Sequence, residues 1–161
     1  MTISDKNKDI VSSIREASKN KGNIVFIHGI FNIIHPGHLR QFRFAKEYSD
    51  FLVVAVSSDD NSPDAMLKDN IRLEAVSELS IVDFSFILND DVNDFLEFLK
   101  PEIIVKGKEF ENLKNPEKEI LDTYGGKLLF GSGDITFTSI EDLKYSKLIN
   151  YSSIISPKDY L

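Results

Sequence analysis

His35, Pro36, Gly37 and His38 stand in a row, in a chain with only three histidines in all. Proline suits the first position of a helix, because its missing N–H has no intrahelical partner there. A helix opening at Pro36 would hold both imidazoles at its first turn. Free N–H groups and the positive end of the helix dipole meet at such a turn and form an anion site. Gly37 carries no side chain, so another group can come close to the backbone. Two imidazole donors added to this site suit a polyphosphate whose charge grows in a transition state. The plain alternative is a pair of surface or capping histidines. Zinc fits less well, since the chain has no cysteine and His28, the third histidine, falls at a strand end.

The surrounding elements must hold this tetrad in place. Residues 4–20 read as a helix with a weak stripe of Ile10, Val11 and Ile14, stopped near Gly22. Ile24 to Ile27 form a short unbroken run of large apolar residues, as in strands buried on both faces of a parallel sheet. A helix over 38–48 has Leu39, Phe42, Ala45 and Tyr48 at helical spacing. Further strands are expected at 51–56, 84–88, 102–105 and 127–130. Helices alternate with them at 69–80, with Ile71, Ala75, Val76 and Leu79 on one face, at 92–99 and at 115–124. A last helix is expected near 139–149. Gly125-Gly126 reads as a helix stop, and Pro101 ends the helix before it.

Alternating strands and helices predict an α/β, doubly wound, Rossmann-like domain with a five-stranded parallel sheet and helices on both faces. In the order 3-2-1-4-5, the strand-one turn meets Lys106-Gly107 where the order reverses, and ligands bind at such switch points. One domain spans 1–161, with a core at 22–149 and a tail at 150–161 that packs on it or links it to a further domain.

The 161 residues are 42% hydrophobic and 28% charged, which suits one globular domain and excludes collagen-like and low-complexity classes. The absence of cysteine excludes disulfide scaffolds and thiolate nucleophiles. No apolar run approaches the ~20 residues of a membrane span, and the first ten residues lack a signal-peptide core, so a cytoplasmic protein is expected. The net charge of −7 argues against coating nucleic acid, but it is unevenly spread. Residues 21–48 carry a net +3 and all three histidines, whereas residues 49–105 carry a net −10. A local basic segment in an acidic chain suits a small anionic ligand.

The segment Gly29-Ile30-Phe31-Asn32-Ile33-Ile34-His35-Pro36-Gly37-His38 resembles the GxFDxxHxGH motif of the cytidylyltransferase-like nucleotidyltransferases. Residues 45–59 resemble that family's continuation. Arg72 with Val82-Asp83 and the run Pro101 to Gly107 resemble its later motifs, up to the PDxxVKG segment. The resemblance covers about 22–145 and lies nearest the heptose-1-phosphate adenylyltransferase and glycerol-3-phosphate cytidylyltransferase branches. It implies transfer of NMP from CTP or ATP to a phosphorylated sugar or polyol, with Mg2+ accompanying the NTP. Pyrophosphate would leave, and the product would be an activated precursor for surface polysaccharide.

The same resemblance assigns roles. His35 and His38 would hold the phosphates, with Lys46 as a neutralising cation. Gly29, Ile30, Phe31, Gly37, Lys106, Gly107, Thr138 and Ser139 would bind the nucleotide. Lys68 and Arg72 are candidates for phosphate or acceptor contacts. Plainer roles exist for several: Lys46 as a solvated helix residue, Arg72 as a partner of Asp69 or Glu74 or of a dimer mate, and Thr138 and Ser139, each three before an acid (Glu141 and Asp142), as capping-box residues of the last helix. No metal site made of protein side chains is expected. A homodimer is expected from the family, as is a fused or partner sugar kinase. Three features depart from the family: Asn32 replaces its Asp, the stretch from Asp59 to Arg72 is short, and residues 131–134 contain no Arg. They motivate two alternatives, a different acceptor phosphate and a nucleotide-binding module with weakened turnover.

Overall fold

The computed structural model describes residues 2–131. The final helix expected at 139–149, Thr138, Ser139, the 150–161 tail and residues 132–134 lie outside them. The elements run α1 (Asp5–Ala17), β1 (Ile24–Gly29), α2 (Pro36–Lys46), β2 (Phe51–Ser57) and α3 (Asp69–Ser77). They continue with β3 (Phe84–Leu88), α4 (Val92–Leu99), β4 (Ile103–Gly107), a 3-10 turn (Lys108–Phe110), α5 (Glu117–Asp122) and β5 (Lys127–Gly131). The five strands form one parallel sheet in the order β3-β2-β1-β4-β5, the expected doubly wound arrangement.

Side chains alternate across a strand, so each buried strand feeds two cores. Ile24 and Phe26 of β1, with Phe51, Val53 and Ala55 of β2, pack under Ile14 of α1 and Phe95, Leu96 and Leu99 of α4. Val25 and Ile27, with Leu52, Val54 and Val56, pack against Phe42 and Ala45 of α2 and Val76 of α3. Burial on both faces is why β1 and β2 read as unbroken apolar runs rather than alternating ones.

Two helical faces differ from expectation. In α3, Val76 is buried as expected, but Ile71 is 46% exposed and Ala75 is exposed, and Arg72 turns inward instead. In α2, Leu39 is exposed, and Tyr48 lies past the helix end and is exposed too, leaving Phe42 and Ala45 to make the contact. Apolar spacing locates a helix but does not tell an inward long polar residue from an outward apolar one.

Helix ends follow local chemistry. Ser4 caps α1 by accepting from the Asn7 N–H at 3.3 Å, and Asp91 caps α4 by accepting from the Asn93 N–H at 2.8 Å. The helix α1 ends before residue 20 because Asn20 and Gly22 take left-handed backbone. After α5, Gly125 has φ +82°, and the Gly126 N–H returns to the Leu121 carbonyl at 2.9 Å, which is the expected stop. Among the described residues no helix is long and apolar enough to cross a membrane.

Candidate active site

The sheet opens where the site lies. The six residues of β1 from Ile24 to Gly29 all pair with β2, but toward β4 only Val25 and Phe26 pair, with Ile103 and Ile104. Past that point β4 follows β5 instead, through Lys106 opposite Phe130 and Gly107 opposite Gly131. The two central strands therefore part toward their C-terminal ends. A cavity of about 400 Å³ fills the gap, within the range of small-ligand sites.

The turn after β1 forms the floor. Phe31 has φ +55°, a left-handed conformation rarely taken by large side chains, and its ring is buried. That ring lies edge-on to His38 at 5.1 Å between centroids and against Phe42 at 5.8 Å. It also covers Gly29, where a Cβ would sit 3.0 Å from the Phe31 ring. Packing of Phe31 thus sustains a strained turn and braces a catalytic candidate.

Both histidines start α2. His35 is the N-cap, with extended backbone, and Pro36 occupies the first turn as expected. His35 Nδ1 accepts from the Gly37 N–H at 3.0 Å, and His38 Nδ1 accepts from the His35 N–H at 3.4 Å. The pair forms a capping box built from imidazoles. A ring nitrogen that accepts carries no proton, so the donor nitrogen of each ring is Nε2. The rings stack with centroids 3.8 Å apart. Burial, reinforced by the neighbouring His35, lowers the His38 pKa to about 4, against a smaller opposing effect of the Ile33 carbonyl. His38 is thus a neutral donor at pH 7. Capping uses Nδ1 of each ring, so it does not conflict with the expected phosphate role, which would use Nε2.

The opposite wall comes from β4 and α5. Lys106 reaches Glu117 Oε1 at 2.9 Å and lies over the Phe110 ring at 5.0 Å from its centroid. His28, at the end of β1, opens onto the same cavity. Crowding of its ring lowers its pKa, and Lys106 adds to this while Glu117 and Asp91 oppose it.

Gly29, Ile30, Phe31, His35, Gly37, His38, Lys106 and Gly107 all line the one cavity. The three other described candidates do not. Lys46 ends α2, about 15 Å from its start at 1.5 Å per residue. Its ammonium binds the Asp50 carbonyl at 2.7 Å and Asp83 Oδ2 at 2.6 Å, below the N-terminal end of the sheet. A helix that begins beside the site necessarily ends across the domain from it, so Lys46 is corrected to a structural residue.

Arg72 is also corrected. It is 0% exposed and donates to the carbonyls of Leu67, Ile30 and Ser57 and to Asp59 Oδ1, at 2.6–3.0 Å. Its guanidinium bolts the segment after β2 to the turn after β1, and it does not reach the cavity. Lys68 lies at the start of α3, 81% exposed, 3.5 Å from Asp59 Oδ2. Sequence reasoning missed Gln41, Phe110 and Glu117. Gln41 could have been found, since it lies three residues after His38 on the same helical face. Glu117 carried no signal, because only folding brings it to Lys106.

The chain matches the cytidylyltransferase-like family over residues 26–148. The chain belongs to that family. Membership classes it among the nucleotidyltransferases. It is 29% identical over 150 residues to the bifunctional protein HldE of Geotalea uraniireducens (strain Rf4), covering 86% of this chain and 31% of that protein. It is 32% identical over 138 residues to the bifunctional protein HldE of Helicobacter pylori (strain G27), covering 78% of this chain and 28% of that one. The chain thus spans about a third of the length of these relatives. A solved structure of the lipopolysaccharide core biosynthesis protein from Thermoplasma volcanium GSS1 is similar, with a TM-score of 0.59 and 28% identity. The likeness covers 68% of this chain and 96% of that one. Its α/β fold corresponds to the sheet described above.

Proposed function

We propose that this chain transfers a nucleotidyl group from ATP or CTP to a phosphorylated sugar or polyol, yielding an activated precursor for surface polysaccharide. The observation that carries the reading is the pair of stacked imidazoles capping α2 at the mouth of the switch-point cavity. An oxygen of the acceptor phosphate attacks the α-phosphorus in line. The bond from the α-phosphorus to the bridging oxygen breaks, and its electron pair leaves on pyrophosphate. Little covalent work falls to the protein, so orientation and charge stabilisation dominate. His35 and His38 would donate through Nε2 to phosphate oxygens as charge builds there. Backbone groups of Gly29 to Phe31 would approach the triphosphate, and Lys106 with Gly107 would flank the nucleoside. The similar solved structure, a lipopolysaccharide core biosynthesis protein, supports an envelope-polysaccharide setting, and a supply of NTP fits a cytoplasmic one.

No cluster of three metal-ligating side chains occurs among the described residues. Asn32 lines the cavity where the family has a carboxylate, and the cavity's own carboxylates, Glu109 and Glu117, sit at the Lys106 side. These residues do not fit a protein-held Mg2+ site, so Mg2+ is proposed as an ion that arrives with the NTP. A homodimer and a kinase partner are proposed from the family resemblance. Sedimentation of the free chain tests the first, and copurification tests the second.

The test is pyrophosphate release with ATP and CTP, each against heptose 1-phosphate and glycerol 3-phosphate. Turnover with one pair, falling by ~10²–10³ in His38→Ala, is expected. Near wild-type turnover in that variant would sink the assignment. Tight nucleotide binding with no pyrophosphate from any acceptor would favour the binding-module reading.

A further inference from the structure

The loop after β1 lines the cavity, and the loop after β2 is joined to it at two places. One joint is the buried Arg72, which links Ile30 of the first loop to Ser57, Asp59 and Leu67 of the second. Asp59 and Asp69 close the base of the second loop, each accepting from the other's N–H at 3.1 and 2.9 Å. The other joint is Asn32. Its Oδ1 accepts from the Met66 N–H at 2.8 Å, and its Nδ2 donates to the Asp64 carbonyl at the longer distance of 3.4 Å.

An amide can accept and donate together, and it does so without charge. A carboxylate at position 32 could accept from Met66 but would face the Asp64 carbonyl with no proton to share. It would also add negative charge to a cavity read as a polyphosphate site. The asparagine therefore matches its two backbone partners better than an aspartate would.

We propose that Asn32 is a positioning residue that latches the Asp64–Lys68 segment to the rim of the cavity. The latch fixes the base of the Lys68 side chain, which lies outside the cavity lining and would swing over to meet an incoming triphosphate. The role of Lys68 rests on the nucleotidyl-transfer reading, whereas the latch does not. Lys68 is 81% exposed and its contact with Asp59 is 3.5 Å, so turning toward a ligand costs little.

Two measurements on the whole chain decide it: amide hydrogen exchange, and calorimetry with Mg·ATP and Mg·CTP. Asn32→Ala removes the acceptor, so the Met66 amide should exchange about tenfold faster while β2 and β4 stay protected. Asn32→Asp keeps the acceptor, so its Met66 amide should stay slow. If the alanine variant does not fold, Asn32→Ser, too short to reach Met66, takes its place. Unchanged Met66 exchange in the shortened variant overturns the latch. In binding, Lys68→Ala should weaken the tighter nucleotide about tenfold in the wild type. It should weaken it less than twofold in the Asn32→Ala background, because the lysine is then no longer held in place. A full tenfold loss in both backgrounds overturns the link to Lys68. If neither nucleotide binds the wild type, the nucleotide reading and the Lys68 link fall together, and the exchange result still decides the latch.

Discussion

His35 serves two purposes through two nitrogens, and one substitution can separate them. Its Nδ1 accepts from the Gly37 N–H at 3.0 Å and so caps α2. Its Nε2 is the proposed phosphate donor. In His35→Asn, the amide oxygen can take the place of Nδ1, and asparagine is among the best N-caps. The amide nitrogen then lies where Cδ2 was, not where Nε2 was. Cap and donor are thereby uncoupled. His35→Ala removes both.

An alanine at an N-cap costs ~1 kcal/mol. For a domain of this size, that lowers the melting temperature by about 3 °C. Asn should cost only a few tenths of that. Loss of one donor to a developing oxyanion costs ~10²–10³ in rate, and both variants lose it. Thermal melts should therefore rank wild type and Asn together, with Ala below. Pyrophosphate release should rank the two variants together, far below wild type. If Asn restores turnover to within tenfold of wild type along with the melting temperature, His35 is a cap alone. If Asn melts as low as Ala, the capping geometry is not what holds the turn.

The other perturbations act on separate parts of the molecule. His38 should titrate near 4 in the free chain, and a bound triphosphate should raise that value, because an anion favours the imidazolium; an NMR titration reads both. The folded chain holds the neutral ring while an unfolded histidine titrates near 6.5, so this contribution to stability is complete above 6.5 and is lost as pH falls toward 4; in His38→Gln, the pH dependence of stability over that window should flatten. Arg72→Met should destabilise by about 3–5 kcal/mol in denaturant melts, since it strands buried carbonyls, and a mere rise in KM with full stability would contradict the bolt. Lys46→Met should leave turnover within about threefold and stability within about 1 kcal/mol, its pair with Asp83 being only partly buried.

What the residues revealed in advance, and what they hid, follows from the range of each interaction. The strands were legible because β1 and β2 are buried on both faces and leave no polar residue in the run. The histidine turn was legible because its signals are local: proline at a first turn, glycine beside it, imidazoles three apart. The helix ends, read from Gly125 and from Pro101 behind Lys100, depend on one residue's backbone and were legible for the same reason. Arg72 was not, because its partners lie 5, 13, 15 and 42 residues away. The family resemblance placed it at the ligand, while its burial places it beneath the turn after β1.

Lys46 makes the same point in reverse. It lies in the basic segment that first suggested an anion site, eight residues from His38. Proximity in sequence becomes proximity in space only when the intervening chain turns back, and a helix does the opposite. Of the net +3 in that segment, Lys46 is spent on Asp83, so the local charge overstates what a ligand would feel. The positive character of the site must then come largely from groups that carry no formal charge at pH 7: the N–H groups opening α2 and the His38 imidazole, whose pKa is lowered to about 4. This makes the site a donor array and not a cluster of cations. Such an array screens weakly with salt, because hydrogen bonds at short range are not governed by the Debye length. Nucleotide affinity should accordingly fall less than tenfold between 50 and 500 mM salt; a steeper fall would return the leading role to lysines such as Lys68 and Lys106.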